Sequence, residues 1–249
     1  NATDKTAATR VINGIAKIGD VTASIVHAPN GLRGRTEFPH HNNLKPIATV
    51  GELGDNNHPL TGWCDGNAGW LIDNSTVAIV YQSEAYSNVY GTETKAHVLK
   101  NGIKFSGSQI HEIHYDREKM SNFLSNDLPA SSMVKASKHL YHTMYNTFGN
   151  IVDSSGGDGF NGWSNQFTPS GEYVEWKEDK KLTQADWHLH SLCGSWYEKA
   201  NPFDVNKGVV DDIWFCSEEW KFTGNFDPSY NRDNTLGLAS IAVDISNET

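Results

Sequence analysis

The sequence has no long hydrophobic run and no cluster of basic residues. Its longest apolar runs, at 76–81 and 238–243, fall far short of the ~20 residues that a membrane-spanning helix needs. Acidic residues outnumber basic residues by 30 to 20 in a chain of 249 residues, which gives a net charge of -10. A groove that binds nucleic-acid phosphates must be basic, so we expect no nucleic-acid partner. Because the apolar runs are short, we also expect no membrane span.

Cysteine is also scarce, and its number is odd: the chain contains Cys64, Cys193 and Cys216. An odd number allows one disulfide plus one special thiol, or three ordinary thiols. The first residue is Asn1 rather than methionine, and the opening residues do not resemble a signal peptide. We therefore expect a mature secreted product, located in the extracellular space or in the periplasm.

What the sequence does contain is a series of short strand patterns separated by turn residues. An Asp-Asn pair at 73–74 lies between two apolar segments and predicts a β-hairpin over 68–81. A Lys-Asn-Gly turn at 100–102 lies between strand-like segments at 94–98 and 109–114, which predicts a second hairpin or a segment of a propeller blade. A strand, a Pro-x-Gly turn and an alternating strand are predicted within 167–176, and further strands at 212–215 and 239–245. The pattern indicates an all-β fold, either a sandwich or a propeller.

One segment has a different periodicity. Apolar residues recur at intervals of three to four over 130–148, and Gly149 follows as a suitable stop. The residues that carry this spacing are Met133, Val134, Ser137, Leu140, Tyr141, Met144 and Phe148. The spacing predicts one helix, inserted into an otherwise strand-rich chain.

Histidines occur in three short motifs. His188 and His190 would point to the same face of a strand, where they could share a metal ion, although such pairs are more often half-exposed. The segment 111–114 is one residue short of the HExxH zinc motif and lies in a predicted strand, so we reject a zinc-protease interpretation. His139 and His142 would lie on one face of the predicted helix, where packing or solvent exposure is favoured.

Divalent cations suit the acidic composition, because carboxylates are the ligands that calcium prefers. Two loops rich in Asp, Asn and Gly, at 153–159 and 227–234, have residues that can wrap calcium. Neither loop has EF-hand spacing. The same residues are the best turn formers, so we interpret both loops as ordinary turns.

The remaining candidate for metal chemistry is Cys193 together with Glu218 and Glu219. The two glutamates follow a predicted strand that ends at Cys216, so one would point inward and the other outward. A thiolate combined with carboxylates suits a transition metal with a mixed ligand shell. Adjacent glutamates at a strand end are usually solvated, and this second interpretation stays open.

At these residues the chain resembles the PhoX-type alkaline phosphatases, a family of secreted β-propellers. The segments 49–52 and 62–69 are similar to an early glycine-rich stretch of the family, and 77–84 is similar to a strand that ends in the family's Asn-His-Glu or Thr-Ser-Glu motif. The most specific match is Leu192-Cys193-Gly194 followed by 211–219, a cysteine loop and then a strand that ends in a Glu-Glu pair. Gln82-Ser83 stands where the phosphatases have Asn-His.

The resemblance implies a function and a ligand set. It implies a metal-dependent phosphomonoesterase, or the N-terminal portion of one, that acts on a small phosphate ester. Glu84, Cys193 and Glu219 would hold a cluster of iron and calcium ions, with Glu218 beside them, since a thiolate can bridge iron ions and carboxylates can bridge iron to calcium. The alternative is a non-catalytic extracellular module that keeps the scaffold and structural calcium while it binds a partner.

The resemblance also has implications for the fold. It leaves Cys64 and Cys216 to form a disulfide in an oxidising compartment. It implies a single β-rich domain over 1–249, with irregular strands and coil at 1–45 and a propeller-like region at 46–249. Because the chain is shorter than the phosphatases, the propeller would be incomplete or part of a larger one. Open strand edges of that kind would favour self-association or pairing with a second chain.

Overall fold

A computed structural model describes residues 16–20, 45–84, 97–126, 128–145, 149, 151, 187–189, 191–218 and 240–249. For 104, 106, 187–189 and 218 it describes the backbone alone. The strands are β1 (Trp63–Asp73), β2 (Thr76–Glu84), β3 (His97–Val98), β4 (Lys104–Gly107), β5 (Ile110–Asp116), β6 (Val134–His139), β7 (Trp187–Leu189), β8 (Leu192–Glu198), β9 (Ile213–Glu218) and β10 (Ser240–Asp244). One α-helix, α1 (Arg117–Ser125), and a 3-10 turn, Ala130–Met133, complete the described elements.

The strands form three sheets. A four-stranded sheet has the order β1-β2-β5-β6, and two three-stranded sheets have the orders β10-β9-β8 and β3-β4-β7. Neighbouring strands in β10-β9-β8 are antiparallel, whereas β4 pairs with β7 in parallel. The described part of the chain is therefore mostly β, which confirms the predicted class. It shows no closed barrel and no propeller.

The hairpin predicted over 68–81 is confirmed. Strands β1 and β2 are neighbours, and Asp73 organises the turn between them. Its Oδ1 accepts hydrogen bonds from the amide of Ser75 at 2.6 Å and from the hydroxyl of Ser75 at 2.8 Å. These hydrogen bonds hold the pKa of the Asp73 carboxyl below its ordinary value. The sequence predicts this element well because the turn chemistry is local.

The second predicted hairpin is correct in its turn and wrong in its partner. The turn closes where predicted, because the amide of Leu99 donates to the carbonyl of Ile103 at 2.8 Å and Gly102 has a φ of 88°. Strand β3 pairs with β4, however, in the register His97↔Phe105. Most of the segment expected to pair, 109–114, instead lies in β5 of the four-stranded sheet. Strand β4 pairs with β3 because it is the first strand that the chain reaches after the turn.

The helix predicted over 130–148 is wrong. After a 3-10 turn at Ala130–Met133 the chain extends into β6, which pairs with β5. A strand here satisfies the outer backbone groups of β5, and the amide of Leu140 still donates to the carbonyl of Ile110 at 3.0 Å. The apolar residues with helical spacing lie mainly at the two ends of the strand. Tertiary pairing has overridden a local preference for helix.

The observed helix, α1, directly follows β5. Asp116 caps its first turn by accepting a hydrogen bond from the amide of Lys119 at 2.9 Å. At the other end Lys45 Nζ donates to the carbonyls of Phe123 and Asn126, at 2.8 and 2.6 Å. Phe123 is the buried residue of this polar helix, so it lacks the apolar stripe by which sequence periodicity finds a helix. None of the helices in the described ranges is long and apolar enough to cross a bilayer.

The chain divides into two compact units. The first comprises Asn1–Leu60, Gly69–Ile79 and Glu112–Lys138. Within it Glu52 is fully buried, and its Oε2 accepts hydrogen bonds from the amides of Gly19 at 2.9 Å and Thr49 at 3.0 Å. This carboxylate ties the described segment 16–20 to the chain around residue 50.

The second unit comprises Thr61–Ala68, Val80–His111 and His139–Thr249. It contains the sheet β10-β9-β8, whose buried face carries Leu192, Trp214, Cys216 and Val243. Because side chains alternate along a strand, the neighbours of these residues point to the other face of the sheet. All the residues of the candidate site described next belong to this second unit.

Candidate metal centre

Three side chains with metal-binding atoms meet in the second unit: Asp65 from β1, Glu84 at the end of β2 and Cys193 from β8. Their carboxylate oxygens and the thiol sulfur all lie within 4.8 Å of one another. Asp65 is exposed, whereas Glu84 and Cys193 are half-buried. Among the described residues this is the one group of three His, Cys, Asp or Glu side chains with such convergence.

The contact between Glu84 and Cys193 is direct. The Cys193 Sγ donates to Glu84 Oε1, across 109 residues of sequence. The hydroxyl of Ser191 lies 3.4 Å from the same carboxylate oxygen and 3.5 Å from the sulfur. An isolated antiparallel bridge joins the backbones of Glu84 and Ser191, so the end of β2 is held against the start of β8.

A β-bulge in β8 affects the direction in which the Cys193 side chain points. Strands β8 and β9 pair with Cys193 opposite Ser217 and Ser195 opposite Cys216, and the register shifts between Cys193 and Ser195. A β-bulge re-aims side chains locally and is common next to functional sites. Leu192, just before the bulge, is fully buried and accepts a hydrogen bond at its carbonyl from Gln82 Nε2 at 3.0 Å. The bulged segment is therefore anchored to β2.

Close backbone packing brings Asp65 to the site. Gly62 has a φ of 59°, and a Cβ there would overlap the carbonyl oxygen of Glu84. A Cβ at Gly66 would overlap the hydroxyl of Ser195 on β8. Both positions require glycine, because any side chain would push this segment away. The approach at Gly62 and Gly66 holds Asp65, which lies between them, beside Glu84 and Cys193.

The arrangement suits a cation. Two carboxylates and a thiolate would concentrate negative charge in a partly buried place, and a bound cation relieves their mutual repulsion. A soft sulfur combined with hard oxygens fits iron or another transition metal, whereas the carboxylates alone would accept calcium. The residues present therefore fit the metal chemistry that the resemblance implies, although the structure does not identify the metal.

Of the predicted ligands, the structure brings together Glu84 and Cys193. The backbone of Glu218 lies in β9 opposite Leu192, one residue from Cys193. Glu219 lies outside the described residues. Asp65 is a member that sequence reasoning missed, although it falls within the segment 62–69 that carries part of the resemblance. The flanking glycines were a usable signal, because closely packed backbone needs them.

The predicted disulfide between Cys64 and Cys216 is not formed in the structure. Cys64 is exposed, and its Sγ donates to Asn67 Oδ1 at 3.0 Å. Packing around the sulfur raises the pKa of the Cys64 thiol above its ordinary value. Cys216 is buried in β9, where it faces the core. The disulfide between Cys64 and Cys216 stays a prediction, because two thiols form a disulfide only when they are oxidised.

The histidine motifs form no metal site in the described residues. The segment 111–114 lies in β5, as predicted, and His114 Nε2 contacts Glu112, which also has Lys138 Nζ at 3.8 Å. His142 pairs with Glu248, Nε2 to Oε2, at 2.6 Å. For His188 the structure describes the backbone alone. His190 and the loops at 153–159 and 227–234 lie outside the described residues.

A stack of histidines was not expected from the sequence. The rings of His97 and His139 are parallel with centroids 3.7 Å apart, and His111 packs against His139 at 5.0 Å. His111 Nε2 accepts a hydrogen bond from the amide of Thr61 at 3.3 Å. His97 and His139 stack face to face, whereas the ring of His111 is tilted by 35° against His139, and these histidines do not form a metal-binding group among the described residues. His139 thus packs in this stack and not on a helix with His142.

Compared with models of protein families, with curated proteins and with solved structures, the chain matches none. Its function must therefore be argued from the site and from the short motifs that carry the resemblance to the PhoX-type phosphatases.

Proposed function

We propose that the chain is a metal-dependent phosphomonoesterase of the PhoX-like type, or the N-terminal portion of one. The observation that carries this proposal is the contact between Cys193 Sγ and Glu84 Oε1. The resemblance selected these two residues as metal ligands on motif alone. Two residues so far apart in sequence have no local reason to meet, so their contact supports a common role.

Iron and calcium are the proposed ions. Cys193 would hold iron, while Glu84 and Asp65 would hold iron or bridge it to calcium. Glu219, with Glu218 beside it, remains a proposed further ligand from the end of β9. A bound ion would neutralise the charge of a phosphoryl group and polarise its oxygens.

The chain's own residues have separate roles in this proposal. Ser191 lies within reach of both Glu84 and Cys193, and it would keep the carboxylate and the sulfur in position. Asp65 is exposed, so the site opens to solvent on its side. A small phosphate ester would approach from there. The same proposal places the protein outside the cytoplasm and its sheets in a propeller-like arrangement, either incomplete or part of a larger one.

The proposal is tested by metal analysis and hydrolysis on the same purified chain. Elemental analysis should find iron and calcium, and a chromogenic phosphate ester should be hydrolysed when both ions are supplied. Cys193→Ser should lower the rate by ~100-fold or more, since iron loses its sulfur ligand. Cys64→Ser is the matched control, because a serine hydroxyl can replace the exposed thiol as the donor to Asn67. Equal rates for the two variants would contradict the proposal.

A second candidate is a non-catalytic binding or assembly module with structural calcium. It is favoured by the exposed aromatic residues of the sheet β10-β9-β8, where Trp196 lies opposite Phe215. Trp196 is 65% exposed and Phe215 37%. Exposed aromatic pairs of this kind are enriched in protein interfaces. Bound calcium, no hydrolysis, and a dimer in sedimentation that Trp196→Lys dissociates would favour this module over the enzyme.

A further inference from the structure

The side-chain amide of Gln82 is a buried polar group beside the candidate metal centre. Gln82 is fully buried and lies two residues before Glu84 in β2, so both side chains point to the same face. Its Nε2 donates to the carbonyl of Leu192 at 3.0 Å. That hydrogen bond decides which end of the amide is nitrogen, because a carbonyl can accept only from the N–H end. The opposite end, Oε1, accepts no hydrogen bond from the described residues.

The Gln82 amide packs against residues that are adjacent in the chain to proposed ligands. On one side is Leu192, which immediately precedes Cys193. On the other side is Gly66, which immediately follows Asp65, and a Cβ at Gly66 would stand 3.0 Å from Gln82 Cδ. The amide therefore lies between chain neighbours of two of the proposed ligands, Cys193 and Asp65.

A buried acceptor without a donor is costly, and native structures contain few of them. Such an oxygen calls for a specific explanation, and a cation is one of the partners that would satisfy it. The amide oxygen of glutamine is a ligand for calcium and for other metals that accept oxygen. Its neutral charge adds a ligand without adding to the repulsion between the carboxylates and the thiolate.

We propose that Gln82 Oε1 is a fourth ligand of the metal ion held by Asp65, Glu84 and Cys193. This inference rests on the metal site of the proposed function and extends its ligand set. It explains why a glutamine is buried at this position of β2. It also assigns the two ends of one side chain to two tasks: Nε2 anchors β8, and Oε1 binds the ion.

The test uses cobalt(II) as the probe, with Gln82→Glu as the main variant. Glutamate keeps the length of the side chain and places a charged oxygen where the amide oxygen lies, although its second oxygen replaces the Nε2 that donates to Leu192. Without metal this variant should be less stable than the wild type, because it adds a buried negative charge to the cluster. Its cobalt affinity should rise by about tenfold, and its melting temperature should increase more on cobalt addition than that of the wild type.

Gln109→Glu is the matched control. Gln109 is also fully buried, but its Oε1 lies 2.8 Å from His139 Nε2 in the histidine stack. Glutamate there also adds a buried negative charge. Gln109→Glu should therefore bind cobalt with the affinity of the wild type, and an equal rise in both variants would overturn the proposal.

A second variant, Gln82→Met, keeps a similar volume and, like Gln82→Glu, loses the Nε2 donor to Leu192, but it has no oxygen to bind the ion. Loss of the Nε2 donor is common to both variants, so it cannot by itself explain opposite changes in affinity. Gln82→Met should lower the cobalt affinity by about tenfold and change the ligand-field absorption of cobalt, while the sulfur-to-cobalt charge-transfer absorption from Cys193 remains. Unchanged affinity and absorption in both Gln82 variants would show that Gln82 is not a ligand while the site itself stands. No charge-transfer absorption in the wild type would overturn the site and, with it, the role of Gln82.

Discussion

Glu52 and Glu84 are carboxylates in very different surroundings. Glu52 is fully buried, and backbone amides of Gly19 and Thr49 donate to its Oε2. Glu84 is half-buried and contacts a thiol, a hydroxyl and, within 4.8 Å, the carboxylate of Asp65. The partners of Glu52 favour its charged form and stabilise the fold. Glu84 instead lies beside a second carboxylate, Asp65, and a cation bound between them would relieve their mutual repulsion.

The largest expected effect is on stability, at Glu52. Glu52→Ala removes two hydrogen bonds to a charged group and leaves two amide donors buried, which should cost about 3 kcal/mol. Chemical denaturation followed by fluorescence measures this change in the free energy of unfolding. The variant that remains folded should keep the metal affinity of the wild type. A metal affinity that falls in parallel with stability would remove the distinction between the two carboxylates.

The matching change at Glu84 should affect metal affinity and not stability, which is the opposite of Glu52→Ala. Glu84→Gln removes a charge that repels the Asp65 carboxylate, and its amide oxygen can still accept from the Cys193 thiol, so the metal-free protein should be about as stable as the wild type. Metal affinity should fall by roughly 100-fold, because a ligand is lost. Equilibrium dialysis with cobalt or calcium measures the affinity. If Glu84→Gln destabilises the metal-free protein as much as Glu52→Ala does, then Glu84 also stabilises the fold.

A glycine pair tests whether the close approach at Gly62 positions Glu84. Gly62→Ala should destabilise by about 2–3 kcal/mol, since the residue has a positive φ and its Cβ would overlap the carbonyl of Glu84. Gly102→Ala is the control, because Gly102 also has a positive φ but a Cβ there would meet nothing within 4 Å. It should cost ~1 kcal/mol and leave metal affinity unchanged. Equal costs for the two variants would show that the contact with Glu84 is unimportant.

The smallest effect is expected at a third carboxylate, Asp73, which is satisfied locally by Ser75. Hydrogen bonds from Ser75 lower the pKa of Asp73 in the folded chain, so its contribution to stability is present above the unfolded-state pKa of about 3.9. That contribution is lost as the pH falls through the lower folded-state value. Asp73→Asn should therefore lower stability slightly at pH 7 and have no effect at the lowest pH. Denaturation curves at several pH values measure the difference, and a pH-independent difference would contradict the assignment.

How well each element was predicted depends on how local its cause is. The β1–β2 hairpin was predicted because Asp73 and Ser75 build the turn by themselves. The helix over 130–148 was predicted wrongly, since the strand that replaces it depends on pairing with β5. The partner of β3 was wrong for the same reason: the sequence contains several strand-like segments and does not say which one pairs first.

The site divides in the same way. Glu84 and Cys193 were selected through short motifs that resemble a known family, and their contact supports that choice. Asp65 and Gln82 were not selected, because acidic and amide side chains are common and their convergence depends on the packing of β1, β2 and β8. The glycines at 62 and 66 indicate close packing around Asp65, but only the structure shows that Glu84 and Ser195 are the residues that approach them.

By itself the sequence determined the mostly β character of the chain, the positions of its turns and a composition that suits cations better than nucleic acids. Those properties follow from short-range spacing and from charge, which each segment carries independently. Only the tertiary structure decided which carboxylates meet Cys193, and that Gln82 is buried beside them. These contacts join residues about a hundred positions apart, so they are set by strand pairing and by the bulge in β8 rather than by any local pattern.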